Sequence, residues 1–211
     1  MRYTIFGATG GTGQQLVRQA LEAGHKVTAV VRNPDRLPVR HELLNVATAD
    51  VRDTEALRPL VAGADAALSG LGAPSNKAAG IASTGTRAIL RALEAEGVER
   101  YLAVSAAPVG TQPPDESRLH RAVLLPLVRR VFRNVYADLA VMEEEIRNSA
   151  LRWTVVRPPQ LTDKPATGEW QLREGTAVPR RLRITRADLA AAMLGMVDDT
   201  CTERKVIGIA N

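Results

Sequence analysis

Gly7, Gly10 and Gly13 recur at every third position in the segment Ile5-Phe6-Gly7-Ala8-Thr9-Gly10-Gly11-Thr12-Gly13. An apolar run, Tyr3 to Phe6, precedes them. A helical pattern, Gln14 to Ala23, follows, with Leu16, Val17, Ala20 and Leu21 on one face. Strand, glycine turn and helix together form the setting in which such glycines bind a dinucleotide. Each glycine has its own task there. Gly7 permits the tight turn off the strand, Gly10 and Gly11 let backbone approach a pyrophosphate, and Gly13 lets the helix pack close to the sheet. Thr9 and Thr12 lie within the same turn. The unpaired N–H groups of the helix N-terminus then face the phosphates.

The end of the second apolar run bears on which dinucleotide is bound. A site for NAD ordinarily places an acid about 20 residues beyond the glycines, on the ribose 2′-hydroxyl. Here the segment reads Val31-Arg32-Asn33-Pro34-Asp35-Arg36. Arg32 stands where the acid is expected and Arg36 follows. Two guanidinium groups suit a 2′-phosphate through charge-assisted, often bidentate bonds. The expected cofactor is therefore NADP(H) in preference to NAD(H). The competing reading is a solvated basic loop in which Asp35 bridges the arginines.

Other chemistry finds little support. His25, His41 and His120 are scattered rather than spaced as metal ligands, and the single cysteine, Cys201, excludes an internal disulfide. Ser105 lies in no Gly-x-Ser-x-Gly elbow. The net charge of +5 favours anionic ligands in general. With only 3% aromatic residues, base-stacking surface is scarce, and no nucleic-acid partner is expected. No window reaches the length of a membrane span, and the N-terminus runs directly into the first strand. A cytoplasmic setting is the expectation.

The elements that must hold these residues alternate along the chain. Strands are predicted at Lys26 to Val31, Leu44 to Thr48, Ala66 to Leu71, Tyr101 to Ser105, Trp153 to Val156 and Lys205 to Ile209. Helices are predicted at Thr54 to Val61, Ile81 to Glu96, Val135 to Asn148, and from Thr185, a candidate N-cap, to Val197. Repeated βα units imply an α/β fold, a Rossmann-type doubly wound parallel sheet with helices on both faces and the ligand over the strands' carboxyl ends. The 211 residues suit one domain. Residues 108–134 and 160–181, rich in Pro and Gly, are expected to form a lid on the substrate side. The latter stretch has a candidate hairpin around Glu169 to Arg173. Arg118 to Arg133 reads as an amphipathic pair of helices broken at Pro126, with a basic face able to attract an anionic substrate.

Gly7-Ala8-Thr9-Gly10-Gly11-Thr12-Gly13, Val31-Arg32-Asn33-Pro34, Ala49-Asp50-Val51 and Val156-Arg157-Pro158-Pro159 together resemble the atypical short-chain dehydrogenase/reductases. Within them the chain resembles the NAD(P)H-binding proteins similar to biliverdin-IXβ reductase, also called flavin reductase, and the NmrA-like proteins. The resemblance extends through Leu151-Arg152-Trp153-Thr154 and Ile184-Thr185-Arg186-Ala187-Asp188-Leu189. It implies that Gly10 to Thr12 hold the pyrophosphate and that Arg32 and Arg36 hold the 2′-phosphate. Asp50 and Val51 would border the adenine, and Leu71, Gly72 and Ala73 would pass the ribose and phosphates. Ser105, a candidate catalytic residue, would lie near the nicotinamide and orient it, with Pro158, Pro159 and Gln160 beside the nicotinamide and substrate pocket.

The departures bear on the reaction. Catalytic short-chain dehydrogenases carry Tyr-x-x-x-Lys, but here Tyr136 is followed at the lysine position by Ala140, and no lysine occurs between Lys77 and Lys164. A tyrosine acid needs a neighbouring cation to lower its pKa, so Tyr136 is a candidate catalytic acid without its usual support. Ala106 and Gln160 replace a serine and a histidine common in the subgroup. Hydride transfer to a simple carbonyl needs a proton donor. Transfer to a flavin, quinone or similar conjugated small-molecule acceptor needs chiefly orientation. The expected function is accordingly an NADPH-dependent oxidoreductase acting on such an acceptor. The alternative is a non-catalytic NADP(H)-binding redox sensor or regulator of the NmrA type.

Overall fold

The computed structural model describes residues 1–73, 75–111, 113–117 and 120–211, leaving aside the side chains of 78, 120 and 121. The chain runs through β1 (Arg2–Phe6), α1 (Gly11–Glu22), β2 (Lys26–Val31), β3 (Leu44–Thr48), α2 (Thr54–Val61), β4 (Ala66–Ser69), α3 (Ile81–Ala95) and β5 (Arg100–Val104). It continues with α4 (Leu125–Val131), α5 (Arg133–Asn148), β6 (Arg152–Arg157), β7 (Gln160–Thr162), β8 (Gln171–Glu174), β9 (Arg183–Thr185), α6 (Arg186–Gly195) and β10 (Lys205–Ala210). The main sheet has the order β3-β2-β1-β4-β5-β6-β10-β8. All of its pairings are parallel except that of β8 with β10.

Side chains alternate between the two faces of each strand, which gives two cores. On one face Ile5, Val27, Leu68 and Ile207 pack with Leu16 and Val17 of α1 and Leu189 and Met193 of α6. On the other, Phe6, Val30, Tyr101 and Val155 pack with Leu57 of α2, Ile89 of α3 and Met142 of α5. The predicted helices at Thr54 and Thr185 start at side-chain caps. Asp53 accepts from the Ala56 N–H at 3.1 Å, and Thr185 accepts from the Asp188 N–H at 2.9 Å. The chain leaves β1 toward β2 on one side and later returns to its other side with β4. That reversal opens a crevice at the carboxyl ends of the strands. Among the described residues no helix is long and apolar enough to cross a membrane.

Two sequence expectations are corrected. The hairpin around Glu169 to Arg173 does not form. Instead β8 joins the sheet edge, with Ile207 opposite Glu174 and Ala210 opposite Gln171. Gly208 admits this approach, because a Cβ there would lie 2.0 Å from the Thr176 carbonyl oxygen. The Gly175 N–H then donates to the Val206 carbonyl at 2.7 Å. Pro126 likewise does not break its helix. It occupies the first turn of α4, where no N–H is required, and a π-helical turn, His120–Leu124, leads into it. The break falls at Phe132, between α4 and α5. Arg118 and the side chain of Arg121 lie outside the described residues.

Candidate functional site

The residues singled out in the sequence lie at or just beyond the carboxyl ends of β1 to β6, apart from Tyr136 on α5 and Gln160 on β7. At the end of β1 the glycines divide their work clearly. Gly7 has φ +69°, and a Cβ on it would lie 2.8 Å from the Gly70 carbonyl carbon. A Cβ on Gly13 would lie 2.1 Å from the Gly7 oxygen. Both glycines are therefore fixed by the fold. Gly10 has ordinary extended backbone, φ −77° and ψ 160°, and a Cβ there would meet only the Gly7 oxygen, at 3.3 Å. The space beyond Gly10 is open, and the first turn of α1 carries neither a side-chain cap nor an acidic residue. Its free N–H groups and positive dipole end fit a pyrophosphate.

Gly11 has a neighbour that the sequence did not disclose. A Cβ on it would lie 2.7 Å from both Cδ and Nε of Arg186, the first residue of α6. Arg186 Nη1 is held by Asp163 at 2.7 Å. Gly11 thus makes room for a side chain of α6. Thr9 accepts from Gln14 Nε2 through its carbonyl at 3.0 Å, and Thr12 is buried in the first turn of α1.

Beyond β2, the Asn33 side chain caps the Asp35 N–H at 3.0 Å and shapes a short turn through Pro34. Arg32 and Arg36 flank it. Both are exposed, and among the described residues neither guanidinium group makes a hydrogen bond or an ion pair. Asp35 does not bridge them. Asp50, beyond β3, is engaged by Arg52 at 2.5 Å, and that hydrogen bond holds its carboxyl down at about 2. Val51 and Leu71 converge on Gly85 of α3, each with a carbon 3.2 Å from where a Cβ would lie. Gly72 is exposed, and Ala73 is half-buried beside it.

A cavity of about 460 Å³ opens past the ends of β5 and β6. Ala106, Pro108, Leu125, Val128, Phe132 and Val178 make most of its wall apolar, and Tyr136, Arg157, Gln160 and Arg181 are among its polar members. The Tyr136 ring meets Phe132 edge-on at 6.1 Å, and burial pushes its phenol up from the ordinary value. Residue 138, two along, caps another helix. The Asp138 carboxylate accepts from the Ala82 and Ser83 N–H groups, both at 3.0 Å, and so ties α5 to the start of α3. Pro158 is buried, and its carbonyl accepts from the Ala107 N–H at 2.8 Å, which joins the two loops that wall the cavity.

Ser105 lies at the end of β5, but its hydroxyl is committed. It donates to Glu143 Oε1 at 2.6 Å, which leaves it no proton for a substrate carbonyl, and Ala106 lines the cavity in its place. Glu143, with its side chain 1% exposed, also accepts from Arg157 Nε at 2.8 Å, Arg157 Nη2 at 2.5 Å and Arg147 Nη2 at 2.6 Å. Sequence reasoning missed this cluster. The signal available was an acid seven residues, two helical turns, beyond Tyr136, together with an arginine at the end of a strand.

Comparisons with known proteins bear on the family and the fold. The model of the NAD(P)H-binding family matches residues 7–200. The oxidoreductase aflX of Aspergillus parasiticus is 28% identical over 93% of this chain and 77% of its own. A short-chain dehydrogenase/reductase from Veillonella parvula, solved in complex with NADP, is 20% identical with a TM-score of 0.83, covering 100% of this chain and 94% of its own. ChuY, an anaerobillin reductase from Escherichia coli O157:H7, is 23% identical with a TM-score of 0.80, over 100% of this chain and 97% of its own. The two structures share the fold, and the family match extends over nearly the whole chain. The chain belongs to the NAD(P)H-binding family.

Proposed function

We propose that this chain is an NADPH-dependent oxidoreductase that passes hydride to a flavin, a quinone or a similar conjugated small molecule. The observation that carries the reading is the cavity beyond β5 and β6. It is walled largely by apolar side chains, no lysine lines it among the described residues, and burial makes its tyrosine's phenol less acidic. Such a wall suits a flat apolar acceptor, and such a tyrosine is poorly suited to protonating an alkoxide. NADPH, when bound, supplies the hydride. The chain's own part is to hold the dinucleotide at the glycine turn, the 2′-phosphate on Arg32 and Arg36, and the acceptor in the cavity. An aflX relative described as an oxidoreductase supports redox chemistry in general.

The test is NADPH oxidation with riboflavin and with menadione, followed by the loss of NADPH absorbance. Turnover with either acceptor, faster with NADPH than with NADH, supports the reading. Tight NADPH binding with no turnover on any conjugated acceptor refutes it and favours the redox-sensor alternative.

A further inference from the structure

We propose that Arg157 is a catalytic residue of this chain, its Nη1 donating a hydrogen bond to the acceptor atom that becomes negative when hydride arrives. The inference rests on the proposed function and supplies what that reading lacks, a group to stabilise the product charge. Arg157 closes β6, is 7% exposed and lines the cavity. Two of its three nitrogens, Nε and Nη2, are held by the two oxygens of Glu143, which fixes the guanidinium plane. The third, Nη1, has no acceptor among the described residues.

Gly110 leaves room for that nitrogen. A Cβ on Gly110 would lie 2.1 Å from Nη1, yet the backbone there, φ −87° and ψ −178°, needs no glycine. The absence of a side chain at position 110 therefore serves Arg157 and not the turn. The charge balance points the same way. Arg157 and Arg147 share the single carboxylate of Glu143, so the cluster carries one net positive charge beside an apolar cavity. Glu116, the acid that lines the cavity, is engaged by the Ser117 and Arg180 N–H groups. A fixed donor in a water-poor site favours an anionic occupant over its neutral form.

The step balances without a protein acid. The acceptor gains a hydride, NADPH leaves as NADP⁺, and the new anionic oxygen or nitrogen takes a proton from water. Arg157 keeps its own protons throughout.

The test uses the full chain saturated with NADP⁺ and 4-nitrophenol as an anion-forming stand-in for the reduced acceptor, read by the visible absorbance of the phenolate. In the native protein the bound phenol should ionise at least about one pH unit lower than in free solution, about a tenfold preference for the anion. Gly110→Ala, which drives a methyl into Nη1, should remove most of that shift. The charge-free pair Glu143→Leu with Arg157→Met should remove all of it, while circular dichroism confirms the fold. Arg181→Ala, which removes the other cation lining the cavity among the described residues, should leave the shift in place. With riboflavin as acceptor, Gly110→Ala should lower kcat roughly a hundredfold while KM changes less than about threefold. No shift in the native protein, no phenol binding, a shift that survives both cluster variants or a shift lost in Arg181→Ala would each overturn the proposal. Failure of NADPH to reduce any acceptor would refute the proposed function, while the phenol titration would still report on Arg157.

Discussion

Gly10→Ala separates what the glycine turn does for the fold from what it does for the ligand. Its backbone angles, φ −77° and ψ 160°, are open to alanine. The new methyl would meet only the Gly7 oxygen, at 3.3 Å, a contact relieved by a shift of a few tenths of an ångström. Alanine also restricts the unfolded chain, a gain of about 0.4–1 kcal/mol. The net change in stability should therefore be under about 1 kcal/mol, or roughly 2–4 °C in Tm for a chain of this size. Gly13→Ala is the contrast. Its methyl would lie 2.1 Å from the Gly7 oxygen and 2.7 Å from the Gly7 carbonyl carbon, both backbone atoms. Overpacking of that kind costs about 1–3 kcal/mol. For cofactor affinity the order reverses among folded variants. The methyl of Gly10→Ala occupies the open side of the turn and should weaken NADP⁺ by at least about tenfold, near 1.4 kcal/mol, and Gly10→Val should abolish binding. Thermal melts and calorimetric titration with NADP⁺ measure the two quantities on the same samples. Native affinity in Gly10→Val would mean the phosphates sit elsewhere, and a Tm loss in Gly10→Ala equal to that in Gly13→Ala would make Gly10 structural.

Replacing Arg32 and Arg36 together by alanine should weaken NADPH by about 1.5–3 kcal/mol for each charged hydrogen bond lost and leave NADH nearly unchanged; equal losses for the two cofactors in parallel titrations would contradict the 2′-phosphate assignment. Tyr136→Phe should change turnover on a flavin by less than about tenfold, since burial has already raised the phenol's pKa, and a collapse of activity would restore tyrosine acid catalysis. Asp188→Ala should destabilise the fold by roughly 3 kcal/mol, measured by urea unfolding, because the carboxylate accepts from Thr167, Gly168, Thr185 and Asn211. Burial alone would raise the Asp188 pKa, but the hydrogen bonds outweigh it and the net shift is downward. Its contribution should therefore be complete above the ordinary carboxylate value, about 3.9, and be lost as pH falls toward the lower folded value. A stability profile whose acid limb is identical in Asp188→Ala would contradict this.

The parallel sheet was legible in the sequence because its central strands are buried on both faces and read as continuous apolar runs between turns. Lys26–Val31, Leu44–Thr48 and Thr54–Val61 fall where the pattern puts them. The glycine turn was legible because Gly7 and Gly13 answer to local geometry. What the pattern could not show is pairing across long separations. Gln171–Glu174 is too polar to announce itself as a sheet strand, and its partner β10 lies more than thirty residues away along the chain. Gly11 and Arg186 meet only once α1 and α6 are packed. The Ser105–Glu143–Arg157 cluster draws on β5, α5 and β6, so no local window contains it. Serine at a strand end reads as a reactive group in isolation, and only the fold reveals that its proton is held by Glu143.

Transfer of deuterium from the nicotinamide would show whether the bound cofactor delivers hydride into the cavity. NADPH deuterated at C4, first on one face and then on the other, is mixed anaerobically with the protein and riboflavin or menadione, and acceptor reduction is followed by stopped flow. Turnover should slow with deuterium on one face only, because a cofactor fixed at the glycine turn and Arg32 presents a single face of its nicotinamide to the cavity. Acceptor reduction at equal rates with both labels, or bound NADPH that reduces no acceptor at all, would contradict it.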